Sequence, residues 1–206
     1  MAVDSHASVR IGSHTVEVEI ISPVTMTVAT AVDREWGPLL KTADTEDSSW
    51  AWGQIIADHS GDRFASFAMV SPQRVEGIIV VERGRIMQTA FVEGTTMHYL
   101  ATAPWNRLKC DGSPLVPGYE RARPVGSVLL TRAFIYSVDE GYDGRLNWET
   151  LEGAQKWYRE QFSGLPGTLT VLPRSLSNDG YLSFETDSQL SEAYLVRNAA
   201  LLSRKT

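Results

Sequence analysis

The stretch that decides the fold begins with MHYLATAPWNR at residues 97–107 and, after a polar loop, continues with RARPVGSVLL at residues 121–130. Two more segments follow, GRLNW at 144–148 and AQKWYREQFSG at 154–164. Their composition predicts, in order, a strand, a turn flanked by arginines, a helix, a short strand and a second helix. This order places the beginning of a helix where it can face a bound anion.

The turn at residues 121–127 has the chemistry of a phosphate site. The first N–H groups of a helix have no intrahelical partner, and the helix dipole adds partial positive charge there. Gly126 lets a phosphate approach the backbone, while Arg121, Arg123 and the Ser127 hydroxyl are donors suited to its oxygens. Pro124 is predicted at the first helical position. On this turn alone, an ordinary helix start with two surface arginines is the alternative.

The two helices after the turn are read from their apolar spacing. In the first, the apolar positions share one face, and Gly141 is its predicted stop. These positions are 125, 128, 129, 133 and 136. In the second helix Ala154, Trp157, Tyr158 and Phe162 repeat at helical spacing, and Gly164 ends it. Both helices are therefore predicted to pack one face against a sheet.

The turn resembles the phosphate-binding signature of the GCN5-related N-acetyltransferase family. That signature is Gln/Arg-x-x-Gly-x-Gly/Ala, and here Arg121, Pro124 and Gly126 occupy its three fixed positions, with proline replacing the first glycine. The replacement removes one amide donor and stiffens the turn. It leaves the pose of a bound pyrophosphate open.

The later helix resembles the same family. Ala154, Trp157 and Tyr158 match the Ala-x-x-Phe-Tyr part of a family signature, whereas residues 162–164 replace its Gly-Phe end. The resemblance covers residues 64–165 by motif and the N-terminal part by topology. It implies an α/β (α+β) fold with a mixed central sheet of about six to seven strands and about four flanking helices. One domain is expected over residues 1–206, with loose tails at 1–8 and 201–206.

The remaining elements follow from alternation, helical spacing and turn residues. A first strand, two helices, three strands and two closing strands around a loop at 173–180 are predicted, with a weak helix after them. Residues 83–94 form either a hairpin or an extension of the strand predicted at 75–82. The predicted strands are 15–21, 64–70, 75–82, 97–103, 168–172 and 181–185, and the additional helices are 25–42, 50–59 and 188–200.

The resemblance implies acetyl-coenzyme A as co-substrate and direct acetyl transfer to a primary amine in a ternary complex. The backbone of Leu100, Ala101 and Thr102 is expected to hold the acetyl carbonyl and the pantetheine. The pyrophosphate is expected at Arg121, Arg123, Val125, Gly126, Ser127 and Val128. The acceptor is a small amine, a polyamine-like cation or a protein amino group.

Three residues are candidates for proton transfer. The resemblance implies that Tyr158 protonates the leaving thiolate, although a tyrosine on an apolar helix face is also a common core residue. The family's strand glutamate is missing here, so His98, Glu93 or a water chain is the candidate base. The alternative for His98 is a structural histidine, and for Glu93 a solvated turn charge.

Composition limits the partners. The chain has 206 residues and a net charge of -6, which does not suit a nucleic-acid-binding protein. The sequence shows no signal peptide, no stretch long enough to span a membrane and no metal-ligand spacing, so a cytoplasmic protein without a metal is expected. Cys110 is the single cysteine and is expected to be incidental. Exposed edge strands make a homodimer plausible.

Some features have two interpretations. Asp44, Glu46 and Asp47 attract a cationic substrate or, as the preferred interpretation, form a solvated acidic loop. Trp105 and Asn106 shape the groove near the cofactor or anchor a structural turn. Trp50 and Trp52 are interpreted as lining a pocket or a partner surface. Because they are two positions apart, they cannot both face the core from one side of a helix.

Two other functions compete with acetyl transfer. One is a catalytically weak acyl-coenzyme A-binding or protein-interaction domain that keeps the fold. The other is a nucleotide-binding protein that uses the turn at residues 121–126 for a different phosphate.

Overall fold

The computed structural model describes residues 2–43, 45–109, 111–150, 152–173 and 182–204. Within these ranges it contains five α-helices and ten strands. The helices are α1 (Met26–Ala43), α2 (Trp52–Asp58), α3 (Val125–Asp139), α4 (Glu152–Phe162) and α5 (Ser188–Asn198). The strands are β1 (Ala2–Ile11), β2 (His14–Ser22), β3 (Phe64–Val70), β4 (Val75–Ile86), β5 (Glu93–Thr102), β6 (Ala122–Arg123), β7 (Leu146–Thr150), β8 (Leu169–Pro173), β9 (Leu182–Thr186) and β10 (Leu202–Arg204).

The strands form one mixed sheet, which is mainly antiparallel. Nine follow the order β10-β1-β2-β3-β4-β5-β7-β9-β8, and β6 pairs with β1 beside this path. β5 and β7 run parallel, with Thr95 opposite Leu146 and Met97 opposite Trp148. The predicted α+β class with a mixed sheet is confirmed, but the sheet has more strands than the six or seven expected.

The extra strands come partly from the two segments predicted as loose tails. Residues 2–8 belong to β1, which pairs with β2 from Ala2 opposite Ser22 to Ile11 opposite His14. Within β1, Ala7 and Val9 are buried in the alternation of a half-buried strand. Residues 202–204 form β10 against β1. The predicted tails were therefore wrong for these residues, because small and polar side chains hide the strand pattern.

The chain forms two compact units. The first contains residues 1–80, 99–129 and 201–206, and the second contains residues 81–98 and 130–200. β4, β5 and α3 run from one unit into the other, since each crosses a boundary between these ranges.

The core of the first unit lies between its sheet and helices α1 and α2. α1 buries Ala29, Val32, Trp36 and Leu40, which recur at helical spacing on one face. They pack with apolar side chains from the strands and from α2, including Trp52, Ile78, Val80, Ala101 and Trp105. This core fixes β4 and the last residues of β5 against the helices.

The second unit has an aromatic core. Trp148 on β7 stacks on Phe184 of β9 at 5.5 Å between ring centroids, and Phe134, Phe162 and Tyr194 pack together beside them. Trp148, Phe184, Phe134 and Tyr194 are 1% exposed or less. In the part of the chain that is described, no helix is long and apolar enough to cross a bilayer.

Candidate active site

Backbone hydrogen bonds tie the two ends of β5 to different neighbours. The N–H of Thr95 donates to the carbonyl of Arg145 on the β7 side, whereas the N–H of Ala103, just after the strand, donates to Glu76 on β4. The backbone at the beginning of β5 is therefore bonded toward β7, and the backbone just after its end is bonded toward β4.

The first turn of α3 lies directly on β4 and the end of β5. A Cβ atom at Gly77 would stand 2.7 Å from both Val125 Cγ1 and Leu129 Cδ1, and 3.0 Å from the carbonyl oxygen of Ala101. Cβ atoms in proteins essentially never approach other atoms to within 3.0 Å, so the side chains of Val125 and Leu129 would have to move to make room. Glycine at this position therefore lets α3 begin beside Ala101, and it brings two groups of predicted cofactor residues together.

Pro124 is the N-cap of α3 rather than its first helical residue. Its carbonyl accepts the first intrahelical hydrogen bond, from the N–H of Val128 at 3.1 Å, and the helix begins at Val125. A proline side chain offers no acceptor, so it does not cap the first amides of the helix. Val125 and Val128 are buried and Gly126 is half-buried, which leaves the start of the helix partly accessible.

The two arginines before α3 have different surroundings. Arg121 donates from Nε and Nη2 to the carbonyl of Asn106, at 3.1 and 2.8 Å. Burial, with the charge of Arg123 as a second cause, lowers the pKa of Arg121. Arg123 is exposed and lies in β6 opposite Arg10. A helix start with a glycine and nearby arginines fits a diphosphate, and Arg123 is the more accessible of the two cations.

An aromatic cluster lines the α2 side of the last residues of β5. It consists of Trp36, Trp50, Trp52, Tyr99 and Trp105, whose neighbouring ring centroids lie 5.0 to 6.3 Å apart. Trp50 precedes α2, so it contacts Trp52 although the two are only two positions apart. Trp50 and Tyr99 are half-buried and His59 packs on Tyr99 at 5.3 Å. The cluster gives the first unit an aromatic surface next to Leu100.

Asp47 is not a solvated loop residue. Only 5% of it is exposed, and both its oxygens accept hydrogen bonds from Arg107. Burial alone raises the pKa of Asp47, but hydrogen bonds and charge from Arg107 outweigh it, so the pKa is lowered. The preferred interpretation of the acidic loop was therefore wrong for Asp47, whereas Glu46 is exposed. Asp44 and Cys110 lie outside the described residues.

His98 has a carboxylate partner in the second unit. Its Nε2 lies 2.9 Å from Oε2 of Glu82, which is 5% exposed, and Arg85 Nε lies 3.6 Å from the same oxygen. A carboxylate hydrogen-bonded to one ring nitrogen holds an imidazole in a fixed orientation. This geometry makes His98 a candidate for proton transfer.

Glu93 and Tyr158 lie in other surroundings of the second unit. Glu93 is exposed at the first residue of β5, about 16 Å along the strand from His98 at the usual rise per residue. Tyr158 is 6% exposed and packs against Trp157, Trp148 and Phe184 at 4.8, 5.1 and 6.1 Å. Burial raises the pKa of Tyr158, with Tyr194 as a second cause. The ring is thus part of the aromatic core.

Several site residues escaped the sequence analysis. Glu82 lies 16 positions before His98, Glu76 is one of many glutamates, and Arg107 meets Asp47 across 60 positions. Glu76 and Glu82 could have been identified because each is a carboxylate among the apolar residues of a predicted strand. A glutamate is rarely buried in a strand unless other side chains are paired with it.

No protein-family model matches the sequence, and no curated protein sequence matches it. Solved structures do match. A GNAT-family putative acetyltransferase from Desulfovibrio desulfuricans is 14% identical, with a TM-score of 0.51 over 84% of this chain and 99% of that chain. A protein from Pyrococcus horikoshii OT3 is 13% identical, with a TM-score of 0.51 over 82% of this chain and 96% of that chain. This chain therefore has the fold of the GCN5-related N-acetyltransferases.

Proposed function

We propose that this protein is an N-acetyltransferase that transfers the acetyl group of acetyl-coenzyme A to a primary amine. The observation that carries the proposal is the contact of α3 with β4 and β5 at Gly77, because it places the helix start beside the backbone of Ala101. The helix start supplies donors for a diphosphate, and the end of β5 supplies backbone groups for the pantetheine and the acetyl carbonyl.

The reaction forms a bond between the amine nitrogen and the acetyl carbon and breaks the carbon–sulfur bond of the thioester. The ammonium form of the acceptor must first lose a proton, and we assign this step to His98 supported by Glu82, 2.9 Å away. Tyr158 is the proposed donor of a proton to the leaving thiolate. The nitrogen releases its second proton to solvent as the amide forms, and Tyr158 regains a proton from solvent. Burial raises the pKa of Tyr158, so the hydroxyl is a weaker acid than an ordinary tyrosine and is protonated at neutral pH in either case.

The aromatic cluster supports an amine acceptor. Faces of tryptophan and tyrosine attract ammonium groups, with a free energy of about 0.5–2 kcal/mol depending on solvation. Trp50 and Tyr99 are half-buried, with ring centroids 5.0 Å apart. The small amine, the polyamine-like cation and the protein amino group all remain acceptors to be tested.

Two observations favour a second function, a domain that binds acyl-coenzyme A without efficient chemistry. Arg121 is engaged by the carbonyl of Asn106, and Tyr158 is part of an aromatic core. Such a domain would bind coenzyme A but release no thiol when amines are added.

Titration calorimetry with acetyl-coenzyme A, coenzyme A and ATP tests the proposal. We expect micromolar binding of both coenzyme A compounds and weaker binding of ATP, followed by thiol release in an amine screen. Binding without thiol release across the screen would favour the second function. Absence of coenzyme A binding would contradict both, and preference for ATP would indicate a nucleotide-binding protein.

A further inference from the structure

Glu76 on β4 is a charged side chain with no exposure to solvent. Its Oε1 accepts hydrogen bonds from the Ser71 hydroxyl at 2.9 Å and from Arg74 Nε at 3.0 Å. Its Oε2 accepts from Trp105 Nε1 at 2.9 Å and Asn106 Nδ2 at 2.8 Å. A buried carboxylate is tolerated when it is paired and hydrogen-bonded, and here each oxygen has two donors.

Glu76 holds the turn that follows β5. Residues 104–106 form a single 3₁₀ turn whose three residues are all buried. The backbone carbonyl of Glu76 accepts from the N–H of Ala103 at 2.9 Å and from Asn106 Nδ2 at 3.2 Å. Both the side chain and the main chain of Glu76 therefore fix this turn against β4.

Asn106 extends the connection to the segment before α3. Its Oδ1 accepts from the N–H of Ala122 at 2.7 Å, and its backbone carbonyl accepts from Arg121. A carboxylate only accepts and a backbone N–H only donates. An asparagine amide can satisfy both at once, with its nitrogen toward Glu76 and its oxygen toward Ala122.

Arg74 gives Glu76 a second connection to the same segment. While Nε of Arg74 pairs with Glu76, its Nη2 donates to the carbonyl of Glu120 at 2.8 Å. Its guanidinium also lies 4.5 Å from the ring centroid of Trp105 and 5.5 Å from that of Tyr119. Residues 119–122 are thus held by contacts with Arg74 and Asn106, and both of these side chains are hydrogen-bonded to the carboxylate of Glu76.

We propose that Glu76 is a positioning residue for the diphosphate-binding turn, acting through Asn106 and Arg74. The inference rests on the proposed function, since it concerns the same coenzyme A site. Ala122 lies three residues before the first residue of α3, so a shift of residues 121–122 moves Arg123 and the helix start. The position of these donors decides how well they reach a diphosphate.

The test compares Glu76→Gln with a matched control, Glu185→Gln. Glu185 is another strand glutamate, 2% exposed, which accepts from the backbone N–H groups of Gln88 and Thr89 in the second unit. Both substitutions replace a satisfied buried carboxylate by an amide. Asn106→Ala is the second test variant, because it interrupts the connection while Glu76 keeps three donors. The readouts are the Kd of coenzyme A by calorimetry and hydrogen exchange of the amides at residues 119–128.

We expect Glu76→Gln and Asn106→Ala to weaken coenzyme A binding about tenfold or more, as is typical when support behind a binding group is lost. Exchange at residues 119–128 should become faster in both, and Glu185→Gln should change neither readout. If the wild-type protein binds coenzyme A and Glu76→Gln binds it equally well, the positioning role is overturned while the proposed function stands. If the wild-type protein does not bind it, the proposed function itself fails.

Discussion

Arg107 and Asp47 form a bidentate ion pair, with Nη1 2.8 Å from Oδ1 and Nη2 2.6 Å from Oδ2. Nε of the same arginine donates to the carbonyl of Thr102 at 2.7 Å. One guanidinium therefore ties the loop between α1 and α2 to the last residue of β5. This pair positions the loop that carries Trp50, and so part of the aromatic cluster.

Asp47→Asn should destabilise the protein by about 3 kcal/mol at pH 7, because it removes one charge of a largely buried ion pair. The pKa of Asp47 is lowered from 3.8 in the folded protein, so the unfolded chain takes up the proton first as the pH falls. The advantage of the wild type is thus full above pH 3.8 and is lost as the pH falls through the lower folded pKa.

Urea unfolding of both proteins between pH 7 and pH 3 measures this difference. Glu46→Gln is the control, because Glu46 is exposed and its substitution should change stability by less than about 0.5 kcal/mol. A stability difference between wild type and Asp47→Asn that stays constant down to pH 3 would show that the charge of Asp47 contributes nothing.

Gly77→Ala should shift the first turn of α3. The added methyl group meets Val125, Leu129 and the backbone of Ala101, and overpacking of this kind costs about 1–3 kcal/mol. We expect a lower Tm and a higher Kd for coenzyme A. Gly37→Ala is the control, because an added Cβ there has nothing within 4 Å and should raise the Tm slightly. If Gly77→Ala binds coenzyme A as tightly as the wild type, the packing of α3 against β4 does not control ligand binding.

His98→Gln should lower kcat/KM by about 100-fold or more, the usual loss when a general base is removed. Glu82→Gln should also lower kcat/KM, since it replaces the carboxylate that lies 2.9 Å from Nε2 and orients the ring. The control is His14→Gln at an exposed position. A full rate in His98→Gln would assign proton removal to Glu93 or to water.

Tyr158→Phe separates the two roles of this tyrosine. The ring stays in the aromatic core, so the Tm should stay close to that of the wild type, whereas loss of the hydroxyl should lower kcat about tenfold or more. Tyr158→Ala should instead destabilise the protein by about 3–5 kcal/mol. Stopped-flow thiol release and thermal unfolding measure the two effects. A normal kcat in Tyr158→Phe would leave only the packing role.

The sequence alone was sufficient to predict the helices and strands that have strong local patterns. The strand at 64–70 was predicted with the bounds of β3, and the spacing of residues 125–136 identified α3. β4 was predicted over 75–82 with its extension into 83–94 as one of two alternatives, because Arg83, Gly84 and Arg85 interrupt its apolar run, and the strand continues to Ile86. The two-residue strand β6 was missed, since it pairs with β1, which is distant in the sequence. Local preference cannot reveal pairing that tertiary contacts impose.

The candidate site shows the same division. The residues of the turn and the end of β5 were assigned to the cofactor from the family resemblance and stay a prediction, whereas the sequence pointed to none of the partners of His98, Asp47 and Asn106. Each partner lies on another helix, strand or loop, so the spacing of residues along the chain does not show which side chains meet. Asp47 illustrates the consequence: its polar neighbours predict a solvated loop, and only the approach of Arg107 explains its burial.

The pairing of β1 with β10 has a consequence for folding. Ser5 lies opposite Arg204, so this part of the sheet joins residues that are far apart in the sequence. Contacts of such high sequence separation slow folding. Until β10 is in place, β1 presents backbone hydrogen-bonding groups at that stretch of its edge, and open edges attract other chains. We therefore expect refolding of this protein to show aggregation that increases with protein concentration.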